Sequence, residues 1–264
     1  MNHDPSFNND DARKAWNEGA DAWDDFVESG KDYYRHSVHG PALLEVCESV
    51  RGLDILDTGC GQGYFTRQLA INGARVTGID ISEEQLAYAR DHERKHPLGI
   101  EYSMMSASDV SQRWQAESFD LVTGCMSLHD MSDPPGAISA SRKVLKESGR
   151  LVFSVPHPCT DTPYREWETE EKGKQRDLKI NHYFDSGQAV CHWSMSRLGY
   201  HWDTPYWRCT ITEWSEIIAE AGFLIQRLYE PRPTKDALAR NPNLEDASRL
   251  PMFLIFELVL GPLS

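Results

Sequence analysis

The spacing of apolar positions changes several times along the chain. Residues 12–28 place Ala12, Ala15, Trp16, Ala20, Trp23 and Val27 at helical intervals. This predicts one amphipathic helix, with Asp10 or Asp11 as N-cap and Ser29-Gly30 as its stop. A second helix is predicted after Pro41, through Leu43, Leu44, Val46 and Cys47, ended by Gly52. From Leu53 the pattern alternates. Leu53–Asp57, Arg75–Asp80, Ile100–Met104, Phe119–Gly124 and Arg150–Val155 read as short strands. Helical patterns separate them: Tyr64–Asn72, a helix capped by Ser82 with Gln85 at the capping-box position and running to about His96, and Pro135–Lys146 stopped by Ser148-Gly149. Strands separated by helices predict a parallel sheet with right-handed crossovers.

The regularity breaks after Pro156. Residues 157–210 are rich in aromatics, histidine and proline, and Tyr183-Phe184, Asp185-Ser186-Gly187 and Ala189–Trp193 read as a hairpin. Order resumes with a helix over Thr212–Ala221, stopped by Gly222, and a sixth strand, Phe223–Tyr229. A Pro-rich connection over 230–250 and a seventh strand, Phe253–Leu260, follow. The expected organisation is an N-terminal helical lid (1–50), an α/β core (51–156), an aromatic-rich cap insertion (157–210) and a C-terminal return to the core (211–264) that carries a lid loop (230–250).

Composition narrows the possible partners. Hydrophobic residues make up 40% of the 264, as in ordinary globular proteins, and no apolar run approaches the ~18 residues of a membrane span. Met1–Asp11 is polar and acidic, without the basic and apolar regions of a signal peptide, so cytoplasm is the expected location. The formal charge is -14, from 41 acidic and 27 basic residues, and its field would repel a phosphate backbone. Neither a nucleic acid nor a membrane is the expected partner. The basic cluster Lys172–Lys179 is interrupted by Asp177 and reads as a solvated face. The 6 cysteines form no C-x-x-C pair and read as reduced thiols. The spacings of Cys159, Cys191, His192, His201 and Cys209 match no zinc framework, so no metal is expected.

The most informative stretch is Asp57-Thr58-Gly59-Cys60-Gly61-Gln62-Gly63. Three alternate glycines leave a strand and open a helix, where backbone can approach a ligand and unpaired N–H groups face it. A dinucleotide fingerprint starting at Gly59 would need Gly or Ala at position 64, and Tyr64 disfavours it. No Gly-Lys-Ser/Thr follows, so the turn is not a P-loop. Asp80, about 20 residues downstream at a strand end, is placed to accept from both ribose hydroxyls.

Asp57–Gly63 with Asp80 resembles the glycine motif and ribose acid of class I S-adenosylmethionine (SAM) dependent methyltransferases. Phe119–Gly124 and Leu145–Val155 extend the resemblance to the fourth and fifth strands. It implies an α/β, Rossmann-like, seven-stranded, mostly parallel sheet with helices on both faces, an antiparallel last strand and an inserted cap. It also implies SAM as cofactor and S-adenosylhomocysteine (SAH) as product. Gly59, Cys60 and Gly61 would offer backbone to the amino-acid and ribose parts, and Asp57 would lie near the methionyl ammonium. Asp80 would hold the ribose and Ile81 would pack on adenine. Ser106-Ala107 stands where relatives have Asp-Ala near the adenine amine, with Asp109 close by. Cys125 and Met126 would line the pocket or pack as core. Arg35 is a candidate partner for the SAM carboxylate, since guanidinium suits bidentate recognition, or a surface arginine.

Methyl transfer from a sulfonium needs alignment and dryness, and a base only if the acceptor carries a proton. His129, after the fourth strand, resembles the catalytic histidine of some phenolic O-methyltransferases; capping or core packing is the alternative. His157, after the fifth strand, would contact substrate or simply turn the chain between prolines. The aromatics of 157–210 would wall a pocket for an aromatic or hydrophobic small-molecule acceptor, methylated on O or N, or form a satellite core. A monomer or homodimer is expected. Rival readings are a SAM-binding protein of the same fold that does not methylate, and a tRNA or protein methyltransferase.

Overall fold

The computed structural model describes residues 7–169, 175–195 and 200–262. Residues 1–6 of the acidic N-terminus, Lys172 and Lys174 of the basic cluster, and the side chain of Tyr200 lie outside the described residues. Where one helix is predicted over 12–28, two form: α1 (Asn9–Glu18) and α2 (Ala20–Glu28), joined at Gly19. The N-cap is Asn8, whose side chain accepts from the N–H groups of Asp10 and Asp11, while Asp11 closes the capping box. The break at Gly19 has a packing cause. A Cβ there would collide with the indole of Trp202, so the glycine lets a distant ring lie against the junction.

The chain then makes a π-helical turn, Arg35–His39, and continues as α3 (Gly40–Cys47). α3 ends short of Gly52 because Glu48 turns to φ 60°. The alternation follows as β1 (Asp54–Thr58), α4 (Tyr64–Ile71), β2 (Arg75–Asp80), α5 (Glu83–Lys95), β3 (Glu101–Met104), α6 (Val110–Arg113), β4 (Phe119–Cys125), α7 (Pro134–Val144) and β5 (Leu145–Pro156). α7 stops before the predicted Lys146. Leu145 already pairs with Phe119, and the register then jumps to Leu121 opposite Arg150. Ser148-Gly149 therefore sits in a bulge and not at a helix stop.

Two antiparallel hairpins follow, β6 (Tyr164–Thr169) with β7 (Gln175–Asn181) and β8 (Gly187–Met195) with β9 (Tyr200–Arg208). The hairpin predicted around Asp185–Gly187 does not form. β8 pairs forward instead, because β9 offers Trp202, Thr204 and Tyr206 as alternate buried residues, and Trp193 stacks on Trp202 with centroids 5.6 Å apart. α8 (Ile211–Glu220) is capped by a Thr210–Glu213 box and leads into β10 (Phe223–Tyr229). The connection predicted over 230–250 contains α9 (Lys235–Arg240) and α10 (Glu245–Arg249), and β11 (Phe253–Leu260) closes the fold.

The main sheet has seven strands in the order β10-β11-β5-β4-β1-β2-β3, with β11 antiparallel to both neighbours. Its side-chain alternation divides the core. Ile55, Leu121, Val152 and Ile255 face α3 and α4 through Leu43, Val46, Phe65 and Leu69. Their neighbours Leu56, Val122, Phe153 and Phe256 face α7 and α8 through Ile138, Val144, Trp214 and Ile218. The sheet is thus covered on both sides, and a ligand must enter at a strand edge. No helix among the described residues is long and apolar enough to cross a membrane.

The Gly19 junction carries a stability prediction. Gly19→Ala forces the Trp202 indole away and should cost about 1–3 kcal/mol, the scale of overpacking. Scanning calorimetry checks it as a lower melting temperature; an unchanged melting temperature would show the junction to be loose.

Candidate functional site

A cavity opens where β1, β2 and β4 end, with α1, α2 and the π-helical turn against it, and holds about 940 Å³ including its mouth. Arg35, Asp57, Gly59, Cys60, Gly61, Asp80, Ile81, Ser106, Ala107, Cys125 and Met126 all line it. Residues far apart in the chain therefore meet around one space.

Gly59, Gly61 and Gly63 have φ of 63°, 54° and 86°, a backbone that side chains rarely adopt. At Gly59 a Cβ would also stand 2.6 Å from Cβ of Ser127, so the loop can close on β4 only without one. Asp80 fixes the other flank. Its Oδ2 accepts from the Gly61 N–H at 2.8 Å and its Oδ1 from the Ser82 N–H at 2.8 Å. Burial raises the Asp80 carboxyl, and those N–H groups work against the rise.

This double tether explains Gln85. The Ser82 hydroxyl accepts from the Gln85 N–H, as the capping box predicts. The return bond to the Ser82 N–H is absent, because Asp80 already takes that donor. The Gln85 carboxamide is left buried on the cavity wall, with neither its oxygen nor its nitrogen partnered. An amide in that state costs free energy unless a ligand completes it. Sequence reading treated Gln85 as a cap only; its spacing from Asp80, which takes the cap's donor, was the available signal. Trp16 and Trp23, read as helix-face residues, also line the cavity, as does Asp130.

Arg35 lies across the cavity from the ribose side and is buried. It sits on the π-helical turn, where the Gly40 N–H bonds to the Arg35 carbonyl and swells the helix by one residue. Asp32 accepts from its Nε at 2.9 Å, Cys125 Sγ lies 3.6 Å from Nη1, and Trp23 faces the guanidinium at 5.1 Å. These contacts leave part of the five-donor fork for a ligand. Met126 holds φ 52° at the end of β4, a strained conformation, and its N–H donates to the Ser154 hydroxyl at 3.0 Å. The Ser106 and Ser108 hydroxyls lie 2.9 Å apart on the wall, whereas Asp109 accepts from Gln112 and is not among the lining residues.

Neither histidine lines the cavity. His129 is buried behind Asp130, its Nε2 3.4 Å from Asp130 Oδ2, and burial pushes its pKa down to about 3. His157 is a fastener: its Nε2 lies 3.1 Å from Glu230, its Nδ1 accepts from the Cys159 N–H, and its own N–H bonds to Met252. Burial lowers its pKa, while Glu230 acts in the opposite sense. Among the described residues, no metal-ligating group gathers Cys159, Cys191, His192, His201 and Cys209; the one cluster of ligating types is Asp24, Glu28 and His92, and the cysteines are free.

Asp57 is wholly buried, its oxygens accepting from the Thr66 and Thr123 hydroxyls at 2.7 and 2.8 Å. Burial still raises its pKa from 3.8 to about 6. Between those values the folded protein holds a proton that the unfolded chain has lost, so stability falls as pH rises through the window and stays reduced above it. Asp57→Asn should therefore stabilise the ligand-free protein at pH 7–8 by about 3 kcal/mol at most. The gain should vanish below about pH 4. Denaturant melts at both pH values check this, and a gain that is equal at both would refute the assignment.

Comparison with known proteins converges on one family. The family described as Methyltransferase domain matches residues 56–153. A SAM-dependent methyltransferase structure from Listeria monocytogenes is 27% identical with a TM-score of 0.70, covering 85% of this chain and 97% of that one. One from Mesorhizobium loti is 29% identical with a TM-score of 0.66, covering 83% and 95%. The ubiquinone biosynthesis O-methyltransferase of Pseudomonas syringae pv. tomato is 36% identical over 107 residues, 40% of this chain, and the match spans only 46% of that enzyme's length. The matched segment holds the glycine turn, Asp80 and Cys125, and this part of the chain is a SAM-dependent methyltransferase domain of the class I, Rossmann-like kind.

Proposed function

We propose that the protein transfers the methyl group of SAM to an oxygen or nitrogen atom of a small-molecule acceptor and releases SAH. The observation that carries this reading is the polarity of the cavity. One end has the glycine turn tethered to Asp80, and the other has the buried guanidinium of Arg35. The donor set fits the cofactor end to end. Asp80 retains lone pairs for a vicinal diol, with the unpartnered Gln85 amide beside it. Ile81 and Ala107 offer apolar surface for a flat base, and the Ser106–Ser108 pair offers hydroxyls where Asp109 does not reach. Asp57 suits an ammonium, and Arg35 a carboxylate.

When bound, SAM supplies a methyl group already activated on a sulfonium. The chain's own residues have to hold, align and keep dry. Trp16 and Trp23, packed edge to face at 5.6 Å, wall the cavity from the lid side. Trp193 from the cap joins them at 5.3 Å from Trp23, so cap and lid share one aromatic seam. An acceptor from the cap side would meet these rings and not bulk water. The charge of -14 supports a small molecule over an RNA, since the field opposes polyanion approach.

Calorimetry with SAM and SAH tests the reading at its base: absence of heat from both would end it. Asp80→Ala should weaken SAH binding by about 1–3 kcal/mol, from the lost acceptor and the loosened Gly61 loop. Arg35→Gln should weaken SAH by about 1.5–3 kcal/mol and leave 5′-methylthioadenosine, which lacks the amino-acid part, nearly unaffected. An equal loss for both ligands would show that Arg35 supports the fold and not the carboxylate.

A further inference from the structure

The end of the cavity toward the cap holds a group that the cofactor roles do not use. Asp130 closes the short turn Leu128–Asp130 after β4 and lines the cavity. Only 8% of it is exposed, and its Oδ1 has no hydrogen-bond partner among the described residues. Its other oxygen has only the imidazole of His129, at 3.4 Å. His129 in turn packs against the ring of Tyr206 from β9, with centroids 5.3 Å apart, and the Tyr206 hydroxyl donates to Asp161. Packed rings and an acid thus back the cavity wall from the base of the cap, and the side chain that reaches the wall is an unsatisfied carboxyl group.

The charge that acts on the carboxyl itself is mostly acidic. Asp161 adds a second acid, and Cys191 and Tyr206 add groups that gain charge only by becoming negative; Arg208, over the Tyr206 ring at 5.5 Å, and Arg165 act on Cys191. The cation that acts on Asp130 is Arg35, already engaged by Asp32 at 2.9 Å. His129 brings no charge, since burial keeps its ring neutral. A buried acidic pole of this kind is completed by a ligand with positive charge and several donors. An ammonium group has both, three N–H donors on a compact cation. A hydroxyl has one donor and no charge. The aromatic seam of Trp16, Trp23 and Trp193 suits the body of such a ligand and can face its cation.

Resting on the methyltransferase reading, we propose that Asp130 receives the methyl acceptor and that the acceptor is a small arylalkylamine held as its ammonium. Asp130 releases its own proton to solvent as the ammonium docks, binds it as the carboxylate, then takes one of its protons and leaves a neutral amine beside the methyl group. The nitrogen lone pair forms the N–C bond, and the C–S bond pair goes to sulfur. The product leaves as the methylated ammonium, and Asp130 keeps the proton it took, as at the start. Burial raises the Asp130 carboxyl well above the ordinary range, bringing it closer to the amine in proton affinity. His129, behind Asp130, is then a positioning residue and not the base.

The test uses the full chain saturated with SAH, titrated calorimetrically with benzylamine, phenethylamine and tryptamine and with the alcohols of the same skeletons. SAH release from SAM is measured with each compound. At least one amine should bind, about tenfold or more tighter than its alcohol, and support SAH release. Asp130→Asn, nearly isosteric, should abolish that preference and the release while SAH affinity stays nearly unchanged. A purely structural role would not move the ratio of amine to alcohol. Binding of no amine, equal binding of amines and alcohols, or a tenfold loss of SAH affinity in Asp130→Asn would overturn the assignment, the last by moving the residue to the cofactor. Failure of the wild-type protein to bind SAH would instead remove the methyltransferase reading beneath it.

Discussion

The carboxylate of Asp80 accepts from two backbone N–H groups on different segments, Gly61 of the glycine turn and Ser82 at the head of α5. The cavity's shape follows from that. The turn is drawn over the end of β2, so its left-handed glycines present backbone to the space between β1 and β4. Ser82, held at its N–H, is free to cap α5 with its hydroxyl and to donate to Asn17 of α1 at 2.7 Å. One acid therefore sets the floor of the site, releases Gln85 from capping and anchors the lid. Desolvating it costs free energy, and the two N–H bonds offset part of that cost.

The rest of the cavity shows how buried charge is divided between structure and ligand. Glu257 in β11 is neutralised by Arg150 and Arg227, a group complete without a ligand, whereas Arg35 is neutralised by Asp32 and keeps part of its donor fork for one. Asp57 and Asp130 face the cavity without a cation of their own, and burial raises both. Buried acids left in this state lower the stability of the empty fold. Their placement at the two sides of one space, with a free amide between the glycine turn and α5, is the mark of a site shaped for a polar, partly cationic content.

The sequence made the scaffold legible where one constraint dominates. Strands β1, β2, β4 and β11 follow their apolar runs to within a residue, since a doubly covered sheet needs burial on both faces; β10 also follows its run, although on the sheet edge its residues after Phe223 are exposed. The cofactor-side candidates were also readable, because they cling to strand ends whose order the alternation implies. What escaped reading depends on tertiary neighbours. Nothing local to Gly19 announces that Trp202 will rest on it. The pairing of β8 with β9, and not with Tyr183-Phe184, is decided by which partner buries Trp202 and Tyr206. Gln85 looks like a cap until Asp80 is seen to hold its target. His129 and His157 carry suggestive chemistry at suggestive positions, yet one is sealed behind Asp130 and the other ties β5 to Glu230 and Met252.

The lid is held on two unlike surfaces. Toward the core its bonds are polar: Asn17 to Ser82, Asp21 to Tyr88, Asp24 to His92 and Glu28 to Arg67, all reaching α4 or α5 or its cap. Toward the cap its contacts are aromatic, Trp16 and Trp23 against Trp193, with Trp202 stacked behind and pressed on the Gly19 junction. The polar bonds are mostly half-buried, and each contributes modestly because its partners can bond to water once parted. Large aromatic faces cannot, and parting them returns apolar area to water. α1 and α2 are therefore joined to α5 by directional bonds and to β8 and β9 by packed rings, so the wall that carries Trp16 and Trp23 belongs at once to the core side and to the second hairpin.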